Sequence, residues 1–553
     1  MPTRVETPVL VVGAGPAGMA SALLLAQLGI RSRIVERRAT PQSAPAAHVV
    51  NARTLEIFRV AGVDMTVIEA ACPDPADMCN VLWVTTLAGE ELGRLAFESQ
   101  QEEALRVTPT PLRSLSQHIL EPILLDELRR RAETDVAYGH EWESATQDAA
   151  GVTSRIRDHA TGTVYEVRSR WLLGADGAVS PVRKSLGIEP IGPDRLQSFV
   201  MIHFEANLRP LVGHRPGILY WTTAPGSIGT FIAHDIDSTW VYMQPWDPDH
   251  EAAEDYTDAV CADIVRRAMG TDAHPFTVRT IRTWTMTAQV AERYRERRMF
   301  LVGDSAHRFP PTGGLGLNTG VQDAHNLMWK IAAVEAGWAP ATLLDTYDVE
   351  RRPIAQRNAD VSLQNALRLG EVFQALATAD RAAIRVAIAN QAEHFDMPGL
   401  QLGFTYEAGA IAGDGGEKPA RASSVREYVP NARPGSRIPH AWVTRAGARV
   451  STLDLFAYDR FTLVAGPAGH SWTAAATGPV PIECVVIGRD VVDPDGRWMK
   501  LLDIAADGAV LVRPDQHVAW RSPRGVADRA GALERALAEI LPRRPDARTE
   551  QIR

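Results

Sequence analysis

Residues 298–334, RMFLVGDSAHRFPPTGGLGLNTGVQDAHNLMWKIAAV, decide how the rest of the chain is read. The apolar run at 299–302 predicts a buried strand, and Gly303-Asp304 ends it. Pro310, Pro311, Gly313, Gly314 and Gly316 then impose a turn-rich loop before a helix opens near Asn318. Such a loop displays backbone rather than side chain. At a helix N-terminus it offers free N–H donors and the positive end of a macrodipole to an anionic or electron-accepting group.

Two upstream stretches have the same grammar. A β-branched strand at 9–12 runs into Gly13-Ala14-Gly15-Pro16-Ala17-Gly18, an alanine- and leucine-rich helix follows to about residue 28, and a second strand at 33–35 ends on Glu36. This is the dinucleotide fingerprint in its required context. The glycines allow a tight turn and close approach to pyrophosphate, and a carboxylate about 20 residues on can accept ribose hydroxyls. Residues 170–183, RWLLGADGAVSPVR, repeat the pattern as strand, then Gly174, Asp176 and Gly177, then a helix start with Ser180 and Arg183. Two strand-Gly-Asp elements are hard to explain as unrelated turns: an aspartate at a strand end can accept from ribityl or ribose hydroxyls, whereas a turn-forming aspartate needs no ligand.

Between these stretches, a Pro/Ser/Ala-rich loop at 40–47 delivers His48 ahead of a helix at 51–60, with Asn51 as N-cap and Arg53 and Glu56 in its first turns. Residues 81–97 alternate as strands. Residues 115–131 predict an amphipathic helix with Leu115, Ile119, Leu120, Leu124 and Leu128 on one face and Gln117 near its start. Strands are expected at 152–158 and 164–167. Short β-rich runs at 199–208, 217–223, 229–234 and 239–244 suggest one sheet flooring a small-molecule pocket, for which Tyr220, Trp221, Phe231 and Tyr242 are the aromatic candidates. Residues 343–353, LLDTYDVERRP, read as a helical start whose charged tail stops before Pro353, with alanine-rich helix onward to about 395. GDGGEKPARASS at 413–424 is the best linker. The strands at 460–465, 484–487 and 509–513 that follow, alternating with helices, suggest a separate α/β domain.

The 553 residues imply two to three domains, since single cores stop growing near ~250 to 300 residues. A net charge of −9 argues against nucleic acid or anionic membrane as the main partner. Cys72, Cys79, Cys261 and Cys484 form neither a CxxC nor a ligand-like cluster. No metal site or disulfide framework is therefore indicated, and a reducing cytoplasm fits. No signal pattern opens the chain, and no segment approaches the ~18 apolar residues of a membrane span.

GAGPAG with Glu36, GADGAVSPVR at 174–183 and GDSAHRFPPTGGLGLNTGVQDAHNLMWK at 303–330 together resemble, in order and content, the single-component FAD-dependent aromatic hydroxylases. That group includes p-hydroxybenzoate hydroxylase and phenol hydroxylase. RPGSRIPHAW at 433–442 and GAVLVRPDQHVAWR at 508–521 look like the thioredoxin-like extension of the phenol hydroxylase branch, here without a CxxC. The resemblance implies an α/β fold in three parts. These are a Rossmann-like FAD-binding domain of the p-hydroxybenzoate hydroxylase type (1–79, 117–190 and 298–412), a β-sheet substrate domain (80–116 and 191–297) and, past the linker, a thioredoxin-like domain at 425–553.

By position, the resemblance places Gly13, Gly15, Pro16, Ala17 and Gly18 at the pyrophosphate and Glu36 on the adenosine ribose with Arg37 beside it. Arg53 and Gln117 fall at the phosphate and ribityl regions, Asp304 at the ribityl hydroxyls, and Pro311, Gly314, Gly316, Leu317 and Asn318 along the isoalloxazine edge. Asp176 belongs to a motif linked in this group to FAD and the nicotinamide cofactor. The lack of a second Rossmann fingerprint matches NADH or NADPH visiting transiently. PAAHVVNARTLEIF at 45–58 looks most like the chlorophenol and hydroxybiphenyl hydroxylases, where a histidine at the position of His48 lies near the substrate hydroxyl. Ala46 departs from them, standing where an arginine is common. The implied reaction is NAD(P)H-driven reduction of FAD, oxygen capture as a flavin hydroperoxide, and hydroxylation of a small phenolic substrate with His48 as base. A tailoring hydroxylase for a polycyclic natural product, a flavin halogenase (whose WxWxIP sequence is absent) and a non-catalytic FAD-binding sensor are the other readings. Relatives with this extension are often homodimers.

Overall fold

The structure, a computed structural model, describes residues 4–98, 100–378, 380–416 and 423–542. Residues 417–422 of the expected linker and 543–553 of the expected C-terminal domain lie outside the described residues. Strand Arg4–Val12 pairs in parallel with Ser32–Glu36 on one side and Val164–Gly174 on the other. Thr134–Tyr138 and Met299–Leu301 extend this layer as parallel neighbours. Its strands are near-continuous apolar runs, as burial on both faces requires. Val9, Leu10, Val11, Leu172, Leu173 and Phe300 are all fully buried. The two strands expected at 164–167 and from 170 are one, whose first half also pairs antiparallel with Val152–Asp158.

The three glycine turns meet at the C-terminal ends of these strands. Gly13 N–H donates to the Val35 carbonyl at 2.8 Å, Ala175 N–H to Val12 at 2.8 Å, and Val302 N–H to Gly174 at 3.0 Å. Contact there is so close that a Cβ on Gly13 would lie 2.2 Å from the Ala175 carbonyl oxygen. Helix Pro16–Gln27 packs on helix Leu315–Glu335, which starts three residues earlier than expected.

A second, seven-stranded sheet runs in the order Thr277–Met286, Gln197–Glu205, Thr239–Trp246, Gly229–Asp235, Leu219–Thr222, Asn80–Val84, Glu91–Ala96. One of its faces packs on helix Asp258–Met269. In the C-terminal part, Phe461–Ala465 is central. It pairs in parallel with Ile482–Val486 and antiparallel with Ala509–Val512, which pairs with Val518–Ser522. This 2-1-3-4 order with helices between is a thioredoxin-like topology.

Buried charge joins that domain to the first. Arg513 ion-pairs with Glu350 at 2.8 Å and with Asp515, Lys330 reaches Glu350 at 2.7 Å, and all four side chains are at most 1% exposed. Arg437, from the C-terminal part, pairs with Glu56 of helix Ala52–Val60, whose Oε2 also accepts from Arg53 at 2.9 Å. These cations hold Glu56 and Glu350 at about 2, below the usual carboxylate value, against the opposing effect of burial.

Here the expected helix end at Pro353 is overturned. Helix Thr346–Ala377 runs through Pro353, and two residues of the charged stretch are interior, Glu350 1% and Arg351 0% exposed. Arg351 is paired with Asp323 at 2.8 Å. Those buried pairs outweigh the one backbone hydrogen bond that a helical proline forfeits. Similarly, helix Gln117–Arg129 buries Leu120, Leu124 and Leu128 as expected but leaves Ile119 39% exposed. Removing one partner of such a network strands the others, so Glu350→Gln should cost about 3 to 5 kcal/mol of stability. Urea denaturation checks this, and an unchanged midpoint would contradict it.

Candidate functional site

The candidate site lies at the strand ends, where the glycine turns meet and where the second sheet reaches His48 through the ring of His234. Gly15 ends the first turn, where a Cβ would meet nothing within 4 Å, and helix Pro16–Gln27 begins there with no side-chain cap. Gly13 and Gly18 close the same turn, and Ala17 packs towards Gly303. Glu36, 7% exposed, stands at the end of its strand. Its Oε2 accepts from Ala14 N–H and its Oε1 from Arg38 N–H, both at 2.9 Å. Arg37 is exposed alongside, whereas Arg38, which the sequence reading passed over, ion-pairs with Glu36 at 3.0 Å.

Across the cleft, Gly313 and Gly314 hold φ values of +112° and +62°, which favour glycine. Pro311 lies exposed in this loop, and Gly316 and Leu317 are half-buried in the first turn of the helix that Gly314 caps. No side chain caps that helix, so its first N–H groups are free to meet a ligand. Asp304 accepts no hydrogen bond among the described residues. It is accessible to solvent, yet protein surrounds it closely enough that desolvation raises its carboxyl above the usual range. Both facts hold for a carboxylate facing an internal cleft. Open space at Gly15, an unpartnered Asp304 and an uncapped helix fit a bound dinucleotide such as FAD.

Val49, the residue after His48, lies against this loop, for a Cβ on Gly314 would come within 2.7 Å of its Cβ. Backbone bonds pin its segment: Leu115 N–H donates to the His48 carbonyl and Gln117 N–H to Ala47, each at 2.7 Å. The imidazole is half-buried, and desolvation lowers it to about 4, opposed by the Ala46 carbonyl. It is neutral at pH 7. A ring centroid 5.1 Å away belongs to His234, which sequence reasoning missed.

Several expected contacts fall elsewhere. Arg53 is 1% exposed and committed to the interface with the C-terminal domain, donating to Glu56, to Gln516 Oε1 at 2.8 Å and to the Asp515 carbonyl at 2.8 Å. Glu56, one turn along, needs that cation. Asp176 closes its own turn, its carboxylate accepting from Ser180 Oγ at 2.6 Å and Val182 N–H at 2.9 Å. The Gln117 side chain donates to Glu121 at 2.8 Å. The Asn318 carboxamide is likewise internal, accepting from Asn51 N–H at 2.9 Å and donating to the Val49 carbonyl at 2.8 Å.

Of the aromatic candidates, Tyr220, Phe231 and Tyr242 are fully buried on the sheet face that covers helix Asp258–Met269. Their register, Tyr220 beside Phe231 beside Tyr242, puts them on one face by the period of two. They build core, and the hydroxyls of Tyr220 and Tyr242 donate to the Arg215 and Ser227 carbonyls. Trp221 alternates to the opposite face, half-buried with its indole N–H unpartnered.

Residues 6–362 match the FAD-binding domain family, and residues 431–543 match the C-terminal domain of aromatic-ring hydroxylases. The chain belongs to the FAD-dependent aromatic-ring hydroxylases, with the phenol hydroxylase type of architecture. It is 35% identical to 2,4-dichlorophenol 6-monooxygenase of Delftia acidovorans over 98% of this chain and 99% of the relative. It is 36% identical to tetracenomycin A2 monooxygenase-dioxygenase of Streptomyces glaucescens over 97% of each. Among solved structures, the flavin-dependent monooxygenase PieE in complex with FAD and substrate superposes with a TM-score of 0.92 at 34% identity, covering 97% of this chain and 99% of that one. Aklavinone-11 hydroxylase with FAD and aklavinone gives 0.83 at 35%, covering 98% and 99%. The protein is an FAD-dependent aromatic monooxygenase, and no described helix is long and apolar enough to cross a membrane.

Two outcomes follow from this geometry. Gly314→Val must push Val49 away and leave its φ of +62°, so the purified variant should lose most of its FAD absorbance; a fully yellow variant would contradict this. Burial also lowers His517 to about 4 and His394 and His440 to about 3, so these and His48 take up protons on unfolding between those values and ~6.5. The contribution of these histidines is therefore full above pH ~6.5 and falls towards pH 4 by up to ~1.4 kcal/mol per pH unit for each. Urea titrations at pH 7 and pH 5 should differ by several kcal/mol, on the order set by that linkage; equal midpoints would contradict it.

Proposed function

We propose that the protein hydroxylates a phenolic ring of a small aromatic substrate, with NADH or NADPH as the reductant and His48 as the base that takes the phenol proton. The single observation that supports this best is a half-buried, neutral imidazole on the residue next to Val49, which packs on the glycine loop. Relatives named for dichlorophenol and for tetracenomycin A2 are consistent with an aromatic substrate. Free cysteines without a disulfide suit a cytoplasmic setting.

Gly13, Gly15, Pro16, Ala17 and Gly18 would hold the pyrophosphate, Glu36 and Arg37 the adenosine ribose, Asp304 the ribityl chain, and the 311–317 loop the ring edge. Bound FAD supplies reducing equivalents to oxygen and one activated oxygen atom to the substrate. The chain's own part is orientation and proton removal. Free N–H groups and the dipole of helix Leu315–Glu335 stabilise negative charge beside them.

A phenol, at ~10 by analogy with tyrosine, is neutral at pH 7 and becomes far more electron-rich as its proton leaves. His48 at about 4 lies roughly 6 units lower, a gap of ~8 kcal/mol, too large for full transfer before the chemistry. The proton therefore moves to His48 Nδ1 or Nε2 as the ring is attacked, which is general-base catalysis worth roughly 10² to 10⁴ in rate. His48→Ala should retain FAD and lose about that factor in phenol-stimulated NAD(P)H oxidation with product formation at pH 7. Unchanged hydroxylation would remove His48 from the mechanism.

A further inference from the structure

Four histidines from separate parts of the chain converge on the cleft: His48, His118 in helix Gln117–Arg129, His203 in strand Gln197–Glu205 and His234 in strand Gly229–Asp235. The His234 ring stands edge-on to His48, at 5.1 Å and 79°, and to His118, at 6.4 Å and 74°. His118 Nδ1 is paired with Ser116 Oγ at 2.7 Å, and His203 Nδ1 faces Thr280 Oγ1 at 3.5 Å. His234 differs from both. It is only 5% exposed, and its Nδ1 has no hydrogen-bond partner. Buried polar atoms in native proteins are almost always paired, so an orphan beside a substrate cleft marks a place where a ligand atom belongs.

His234 is the extra residue of a bulge between Ala233 and Asp235, and its ring contacts with His48 and His118 put it on the side that looks towards His48. We propose that His234 is a specificity-determining residue that hydrogen-bonds a second oxygen of the substrate, adjacent to the hydroxyl that faces His48. The preferred substrate is then an arene carrying two oxygens on neighbouring or peri carbons, not a simple monophenol. This rests on the His48 reading and extends it.

The electrostatics define which oxygens suit. Burial lowers His48, His118, His203 and His234, and a charge on any neighbour lowers His234 further. All four rings are neutral at pH 7, and among the described residues no three His, Cys, Asp or Glu side chains group as metal ligands. A neutral imidazole donates one hydrogen bond and accepts one. Such a wall matches hydroxyl and carbonyl oxygens and offers no counter-charge to a carboxylate. Two imidazoles 5.1 Å apart can each face one oxygen of a pair on the same molecular edge.

The test uses 2,3- and 2,6-dihydroxynaphthalene, isomers of equal size and oxygen count, titrated into the FAD-loaded protein while its flavin difference spectrum is followed. Wild-type protein should bind the 2,3-isomer roughly tenfold or more tightly, the discrimination of one hydrogen bond to an otherwise orphaned group. His234→Phe, which keeps the aromatic bulk and removes both nitrogens, should abolish that preference by weakening the 2,3-isomer alone; His234→Leu gives the same comparison where the phenylalanine variant fails to retain FAD. Wild-type protein that binds the isomers alike, or binds neither, overturns the proposal. So does a preference that survives in the variants, or an equal loss for both isomers. Failure of the His48 reading looks different: His48→Ala would then turn over normally while the wild-type preference for the 2,3-isomer persists.

Discussion

The carboxamide of Asn318 ties together the parts on which the cleft depends. Its Oδ1 accepts from Asn51 N–H, and its Nδ2 donates to the Val49 carbonyl and, at 2.6 Å, to the Gly314 carbonyl. One side chain, 1% exposed, thus joins the residues that follow His48, the N-cap of helix Ala52–Val60 and the glycine that opens helix Leu315–Glu335. Because all three partners are backbone groups, the distance between His48 and the glycine loop is fixed by covalent geometry on both sides. Preorganisation of that kind matters most where a misplacement of one ångström costs a large factor in rate.

Beneath the cleft, the same long motif that builds the glycine loop supplies a structural underside. Asp323 pairs with His307 at 2.7 Å and with Arg351 at 2.8 Å, and it receives the Gly303 N–H at 3.3 Å. Asn326 and Lys330, further along the helix, reach Glu350. Lys330 is lowered to about 8 by burial, which Glu350 only partly offsets. The network continues through Arg513 and Asp515 into the thioredoxin-like domain, so that domain is an anchor for the Leu315–Glu335 helix and carries no cysteine pair for redox work.

The glycine turns, the strand order around them and the family were legible in the sequence because backbone geometry restricts residue choice there: little but glycine fits at Gly13 or at Gly314. The polar residues of QDAHNLMWK and DVERRP were legible as letters but not as interior, since only the folded chain shows that Asp323 faces Arg351 and Glu350 faces Arg513. Aromatic density pointed at the second sheet without saying which face mattered. Alternation separates Trp221 from Tyr220, yet which set covers helix Asp258–Met269 is decided by packing. The histidine wall had no signature at all, because residues 48, 118, 203 and 234 share no spacing and meet only through tertiary structure.

In the proposed complex the flavin ring lies against the 311–317 loop and the reacting phenol between that ring and the imidazole of His48. A crystal structure of the FAD-loaded protein with a bound phenolic ligand tests it most directly. The expected result is the isoalloxazine edge on the N–H groups that open helix Leu315–Glu335, with the ligand hydroxyl within hydrogen-bond reach of a His48 ring nitrogen. A ring bound away from that loop, or a ligand whose hydroxyl points away from His48, would contradict it.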